Sequence, residues 1–450
     1  MKIHLIACGG SVMHNLTIAL KLKGFEVTGS DDEIYEPAKT RLQDHGLLPT
    51  SFGWDERRIT KDIDYVILGM HAKKDNPELL KAQALGITVY SYPEYIYELS
   101  KDKTRVVIGG SHGKTTITSI ILHVLKFYNK DFDYLVGAQI EGFDTMVKIT
   151  DAPIIVLEGD EYLASPIDRR PKFHLYHPHV ALLTGIAWDH VNVFPTFHNY
   201  LDQFEIFINS ILTDGSLITY KRDEHLNKMM NANADIEVIE YKEIPHIIKD
   251  GVTFLTHERI EYPISLFGDH NMQNLEGAMH VCEKVGISNI DFIKAIVEFK
   301  GAAKRLDLLA KSEHNIVYKD FAHSPSKLEA TINAVKKQHP ENKLVSCMEL
   351  HTFSSLTKSF LKEYSDTMNN TEEAIVFINK RYFEIKNLEA FDEMEVIQSF
   401  NRPDLKVFFD AEELKTHLED QNWKKSNLLL MSSGNFGQLD LQAIANKVAQ

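Results

Sequence analysis

An apolar run, Arg105-Val106-Val107-Ile108-Gly109, breaks at Gly110-Ser111-His112-Gly113-Lys114-Thr115-Thr116 and resumes as a helical pattern that reaches about Tyr128. A strand, a glycine turn and a helix in that order bring small residues, backbone N–H groups and a helix N-terminus to one point, where an anion is stabilised. Lys114 can span the terminal phosphates of a nucleotide, and Thr115 can ligate magnesium. The residue five before Gly113 is Ile108, so the general GxxxxGKT spacing is not met and a shorter form, Gly110-x-x-Gly113-Lys114-Thr115-Thr116, stands instead. The competing reading is a glycine-rich turn whose lysine faces solvent; the order of strand, turn and helix weighs against it.

The rest of the chain alternates in the same way. Short apolar runs at 3–8, 26–31 and 65–70 and helical patterns at 12–22 and 37–45 predict a parallel sheet with crossover helices. Polar residues at 100–104 and the stretch 299–303 read as linkers. The expected parts are therefore 1–103, 104–300 and 301–450, in keeping with about 100–200 residues per domain. The middle part adds strands at 154–158 and 180–186 and becomes strand-rich after Ser216, before helices near 272–284 and 290–299. The last part alternates again, with strands at 316–321, 344–348, 374–378, 406–408 and 428–432. The fold class is α/β.

Composition limits the partners. The formal charge is −15 and no dense Lys/Arg run or basic aromatic stripe occurs, which argues against nucleic acid. Cys8, Cys282 and Cys347 lie far apart and offer neither a disulfide framework nor a CxxC metal site. Met1 leads straight into a strand pattern rather than an apolar leader, and no run approaches the roughly 18 apolar residues of a membrane span, so no membrane partner and a cytoplasmic location are expected.

Further polar segments follow the expected strands, Glu158-Gly159-Asp160-Glu161-Tyr162, Trp188-Asp189-His190, Gly268-Asp269-His270-Asn271-Met272-Gln273-Asn274 and Asp320-Phe321-Ala322-His323-Ser324-Pro325, and Lys304-Arg305 stands at the second domain junction. Acidic and imidazole groups at the ends of neighbouring parallel strands can converge on one crevice. In order and along nearly the whole chain, these segments and the shortened phosphate loop resemble the motifs of the Mur ligase family. The resemblance implies three domains: an N-terminal Rossmann-like UDP-binding domain, a central P-loop ATPase with a mostly parallel sheet plus a smaller sheet, and a C-terminal Rossmann-like domain. It implies ATP and Mg2+ as cofactors. Residues 110–116 with Asn271, Arg305 and Asp320 would bind ATP; that loop comprises Gly110, Ser111, His112, Gly113, Lys114, Thr115 and Thr116. Thr115, Glu158 and His190 would hold metal, and Lys114, Glu158, His190, Arg305 and His323 would be catalytic. Part of the family carries a carbamylated lysine here; no lysine lies between His190 and Lys221, and Glu205 is the carboxylate expected in its place.

Near the N-terminus, Ala7-Cys8-Gly9-Gly10-Ser11 and Gly29-Ser30-Asp31 do not meet the dinucleotide pattern, since Ala7, Gly9 and Val12 break it. They resemble the family's UDP-sugar site, together with His71-Ala72-Lys73-Lys74-Asp75-Asn76-Pro77-Glu78. Cys8, Gly9, Gly10, Ser11, Ser30, Asp31, His71, Ala72 and Asn76 would seat UDP-N-acetylmuramate, with Lys73 and Lys74 supplying local positive charge. Two activities in the family compete: addition of L-alanine to UDP-N-acetylmuramate, and attachment of the murein tripeptide L-Ala-γ-D-Glu-meso-diaminopimelate. Residues 165–173 and 431–437 resemble the tripeptide branch. In the expected amine-substrate loop, Glu349 fits the tripeptide branch and His351 the alanine branch, with Ser354 beside them. A UDP-sugar and ATP sensor without ligase activity is the alternative of another class. His174, His177 and His179 read as structural or solvent-facing rather than as a metal cluster.

Overall fold

The computed structural model describes residues 1–188, 193–229, 236–301 and 306–450. The chain begins with β1 (Lys2–Ile6), α1 (Ser11–Leu22), β2 (Glu26–Ser30), α2 (Ala38–Asp44), β3 (Tyr65–Leu68), α3 (Pro77–Ala84), β4 (Thr88–Ser91) and α4 (Tyr92–Leu99). The four strands form a parallel sheet in the order β2-β1-β3-β4. Successive residues of a strand serve opposite faces. Ile3 and Leu5 accordingly join a core with Leu16 and Leu20 of α1, while Ile6 joins one with Leu79 and Ala82 of α3. Local chemistry sets the helix starts: the Asn76 side chain accepts from the N–H groups of Glu78 and Leu79, and Ser91 with Glu94 forms a capping box, each worth about 1 kcal/mol.

The second sheet is built from β5 (Thr104–Gly109), α5 (Lys114–Phe127), β6 (Phe132–Leu135), β7 (Val147–Lys148), β8 (Ile154–Glu158), β9 (Val180–Leu183), α6 (Phe197–Asn209), β10 (Ser216–Tyr220), α7 (Glu224–Met229) and β11 (Glu237–Tyr241). Its order is β11-β10-β9-β5-β8-β6-β7, parallel except where β7 pairs with β6. The inner strands are apolar on both faces because helices cover both. Next come β12 (His246–Lys249), β13 (Val252–His257) and β14 (Ile260–Ile264), a separate antiparallel sheet, then α8 (Asp269–Lys284) and α9 (Asn289–Val297).

The last stretch contains β15 (Asp307–Lys311), β16 (Ile316–Asp320), α10 (Pro325–Gln338), β17 (Lys343–Glu349), α11 (Lys358–Leu361), β18 (Glu373–Phe377), α12 (Arg381–Lys386), α13 (Glu393–Ser399), β19 (Lys406–Phe408), α14 (Ala411–Asp420), β20 (Ser426–Met431) and α15 (Leu441–Val448). Its sheet runs β15-β16-β20-β17-β18-β19, parallel except for β15.

The chain divides into two compact units, one of Met1–Ile244 with Gln273–Ala302 and one of Pro245–Met272 with Ala303–Gln450. The strand-rich portion expected in the middle part is thus divided: β10 and β11 extend the large sheet, whereas β12 to β14 group with the C-terminal stretch. In that second unit Gln338 of α10 donates to the Gly251 carbonyl at 2.7 Å. In the first unit the junction near residue 103 is held by Arg105, only 3% exposed, whose guanidinium lies against the carbonyls of Ser100, Lys101, Tyr176 and His177. Among the described residues no helix is long and apolar enough to cross a membrane.

Candidate active site

The strands β8, β5 and β9 are parallel neighbours, so Glu158, Gly109 and Leu183 end at one edge of the sheet. The turn leaving β5 needs glycine at two points. Gly110 has φ +116° and Gly113 φ +81°, and a Cβ would strike Thr184 at the first and the Asn274 side chain at the second. The turn is pinned from β9: the Thr184 hydroxyl donates to the His112 carbonyl at 2.5 Å, and the Ser111 N–H to the Gly185 carbonyl at 3.0 Å. The Ser111 hydroxyl accepts from the Ala187 N–H at 2.9 Å and lies 3.0 Å from the Tyr200 hydroxyl.

Lys114 opens α5. Its ammonium donates to the Gly110 carbonyl at 2.6 Å and to Glu161 at 2.7 Å, so it turns inward instead of facing solvent. Burial pulls its pKa down, but the charges of Glu161, Asp160 and Glu158 outweigh burial and hold it above the ordinary value. Thr115 donates to Glu158 at 2.9 Å, and the Gly137 N–H donates to the other oxygen at 3.0 Å. Burial pushes the Glu158 carboxyl up despite these bonds. Thr116 is buried on the inner face of α5, so Thr115 is the threonine at the site.

Magnesium prefers oxygen ligands, keeps several waters and shares substrate phosphates, so few protein groups are needed. The hydroxyl of Thr115 and the half-buried carboxylate of Glu158 fit that requirement. Among the described residues no three His, Cys, Asp or Glu form a metal cluster. His190 and Arg305 lie outside the described residues. Glu205 sits on the exposed face of α6, whereas Tyr200 on the same helix reaches the site. His174 is buried, donating to the Gln203 carbonyl at 2.7 Å, which agrees with a structural role.

Glu161 belongs to the acidic segment at 158–162 but has no role assigned from sequence, and neither have Tyr200, Thr184 and Asn274. Asn274 lies within the segment Gly268–Asn274 and is open to being found there. Tyr200 and Thr184 carried no signal, because what matters is which way α6 and the end of β9 face.

At the N-terminal turn, Ala7 takes φ +62°, and the Gly9 N–H donates to Asp31 at 2.6 Å. Burial is the main cause that pushes the Asp31 carboxyl up, to about 6. A Cβ on Gly9 would approach Asp31 and Ile34 to 2.9 Å, and one on Gly10 would approach His71 to 3.4 Å. The Cys8 thiol is buried and Ser30 donates inward to Glu78, so these two residues leave mainly their backbone at the turn. Ser11 starts α1, Ala72 is buried, His71, Lys73 and Lys74 are exposed, and Asn76 is occupied as the α3 cap.

In the second unit, Asn271 donates to the Phe267 carbonyl at 2.9 Å. Asp320, at the end of β16, accepts from the N–H groups of Leu306 and Ala322 at 2.8 and 2.7 Å. These bonds order the strand end and do not cap α10. His323 Nδ1 lies 2.8 Å from the Phe321 carbonyl, and the His323 carbonyl accepts from the Tyr364 hydroxyl at 2.6 Å. Glu349 is 0% exposed; one oxygen accepts from the Ser432 hydroxyl and the Phe436 N–H, and the other has no partner. His351 Nδ1 and the Ser433 hydroxyl are likewise buried without a partner. The His351 ring meets Tyr382 edge-on at 4.5 Å, and Ser354 is exposed.

A phosphate loop at the open edge of a parallel sheet, with an inward lysine and carboxylates on the next strand, defines an α/β enzyme that uses a nucleoside triphosphate. Comparison with known proteins is specific. Residues 2–104 match the Mur ligase family catalytic domain and residues 108–282 the Mur ligase middle domain. A UDP-N-acetylmuramate–L-alanine ligase of Caldicellulosiruptor bescii is 31% identical over 393 residues, covering 83% of each chain. The chain belongs to the Mur ligase family, whose members are ATP-dependent ligases that form amide bonds. Two solved structures share the fold: a murein peptide ligase from Psychrobacter arcticus, at 20% identity and TM-score 0.63 over 100% of this chain and 99% of that one, and a UDP-N-acetylmuramate–alanine ligase from Thermotoga maritima, at 18% and 0.66 over 97% and 96%.

Proposed function

We propose that the chain joins L-Ala-γ-D-Glu-meso-diaminopimelate to UDP-N-acetylmuramate, using ATP, as a recycling step of the cell wall. One observation carries the reading: the buried Glu349 carboxylate keeps an oxygen without a partner, and Glu349 and His351 both face Gly434. A buried acceptor left unsatisfied costs about 1–3 kcal/mol, and an incoming ammonium would relieve it. The likeness of residues 165–173 and 431–437 to the tripeptide branch supports the larger amine.

In this reading segments 1–103, 104–300 and 301–450 serve UDP-sugar, ATP and amine respectively. The muramyl carboxylate attacks the γ-phosphorus and ADP departs, leaving an acyl phosphate. The amine nitrogen then attacks the acyl carbon and loses a proton, for which His323 and His351 are the candidate acceptors; the tetrahedral adduct collapses to amide and inorganic phosphate. Lys114 holds the terminal phosphates, Arg305 offsets charge during transfer, and Asn271 and Asp320 bind the nucleotide. Thr115, Glu158 and His190 would hold Mg2+, whose charge offsets that of the phosphates. The turn at 8–11, with residues 30–31 and 71–76, seats the UDP-sugar. ATP as substrate fits a cytoplasmic location.

Addition of L-alanine is the second reading, favoured by His351 and by the name of the 31% identical relative. Phosphate release from ATP, magnesium and UDP-N-acetylmuramate separates the readings. Release that requires the tripeptide supports the proposal, and release with L-alanine replaces it by the second reading. No release with either amine favours a sensor.

A further inference from the structure

Glu161 has no part in the scheme above, yet it is the residue that occupies Lys114. It is 1% exposed, and its two oxygens are divided between the Lys114 ammonium at 2.7 Å and the Tyr200 hydroxyl at 3.2 Å. Tyr200, itself fully buried, continues to Ser111 at 3.0 Å, and Ser111 to the Ala187 N–H. The carboxylate is therefore held by the walls of the phosphate loop as well as by the lysine. It lies at the group that would otherwise meet a phosphate oxygen, and it carries the same charge.

We infer that Glu161 is a positioning residue that stands in for phosphate: it holds Lys114 in the nucleotide-free loop and yields the ammonium when a nucleotide enters. This rests on the ATP-binding role given to the loop above. A nucleotide that arrives without metal finds Lys114 engaged and meets the charges of Glu158, Asp160 and Glu161. The loop thereby disfavours metal-free nucleotide. Glu161→Gln keeps the shape and a polar contact to Tyr200 while removing the charge that holds Lys114.

Calorimetric titration of the full chain with ADP, in chelator and again with magnesium, tests this. Glu161→Gln tightens metal-free ADP binding roughly tenfold, the scale of one partly buried charge interaction, and changes binding with magnesium much less. The gain falls several-fold in a Lys114→Ala background, because release of the lysine is what produces it. Glu161→Ala, read in the same way, serves if the glutamine variant does not fold. Unchanged or weaker metal-free binding in a folded variant overturns the inference, as does a gain that persists fully without Lys114. Wild-type protein that takes up no nucleotide even with magnesium would overturn the functional reading itself, a result distinct from the first two.

Discussion

Replacing Glu78 should destabilise the N-terminal sheet more than any exposed change could. Glu78, in the first turn of α3, is 0% exposed and accepts from His4 at 3.4 Å, the Asp55 N–H at 2.9 Å, Arg58 at 3.1 Å and the Ser30 hydroxyl. Burial raises its pKa, but the bonds from His4, Asp55 and Ser30 more than offset this and hold it below the ordinary value. Glu78→Ala leaves Arg58 without its carboxylate and takes the acceptor from the Asp55 N–H and from the Ser30 hydroxyl, which keeps only its 3.3 Å contact to His4. Breaking a fully buried ion pair costs about 3–5 kcal/mol; Arg58 is 21% exposed and keeps acceptors at Gly53 and Ser51, so a loss at the lower end, about 3 kcal/mol, is expected, and roughly half of it for Glu78→Gln. Trp54 packs against the core formed by Ile6, Leu68 and Leu79, so with Trp188 and Trp423 replaced by Phe its fluorescence in urea reports this sheet. The pH dependence has a definite sign. A depressed native pKa gives stability that is present above the ordinary glutamate value of 4.5 and lost as pH falls through the native pKa. Wild-type stability should therefore decline on acidification where Glu78→Gln stays flatter. The tie from Glu78 through Ser30 to the neighbouring Asp31 also predicts a raised KM for the UDP-sugar with little change for ATP. A loss below about 1 kcal/mol for Glu78→Ala, or identical acid profiles, refutes the reasoning.

Three further outcomes are expected. Lys114→Ala abolishes turnover yet leaves UDP-sugar binding by calorimetry unchanged; loss of both contradicts the division of labour. Gly113→Ala combines a left-handed φ with a collision at Asn274, and should weaken ATP binding at least roughly tenfold, whereas Gly46→Ala, at positive φ but in open space, leaves ATP binding unaltered. Glu349→Gln raises KM for the amine substrate several-fold in the phosphate-release assay while KM for ATP holds; a change confined to ATP would place Glu349 elsewhere.

Much of this protein is written locally. The strand, glycine turn and helix around Lys114 declare themselves because φ values near +116° and +81° and close approach to Thr184 and Asn274 admit little but glycine. The apolar inner strands β5, β8 and β9 are legible because burial on both faces leaves continuous runs. Harder to read were β7, two residues long, and β15, a partly exposed edge strand, since neither buries enough to leave a pattern. In the small sheet β13 and β14 were legible as strands and β12 was not, and the sheet's grouping with the C-terminal unit depends on contacts such as Gln338 to Gly251.

The site divides along the same line. Residue types and order alone determined that a phosphate loop, an acidic strand end and a family of ligases were present, because each is encoded within a few consecutive positions. Only the tertiary structure decided that Lys114 turns inward to Glu161, that Tyr200 rather than Glu205 is the α6 residue at the loop, and that Glu349 keeps one oxygen unpaired. Those are relations between residues 39 to 89 positions apart, set by which faces of strands and helices meet, and no local pattern carries them.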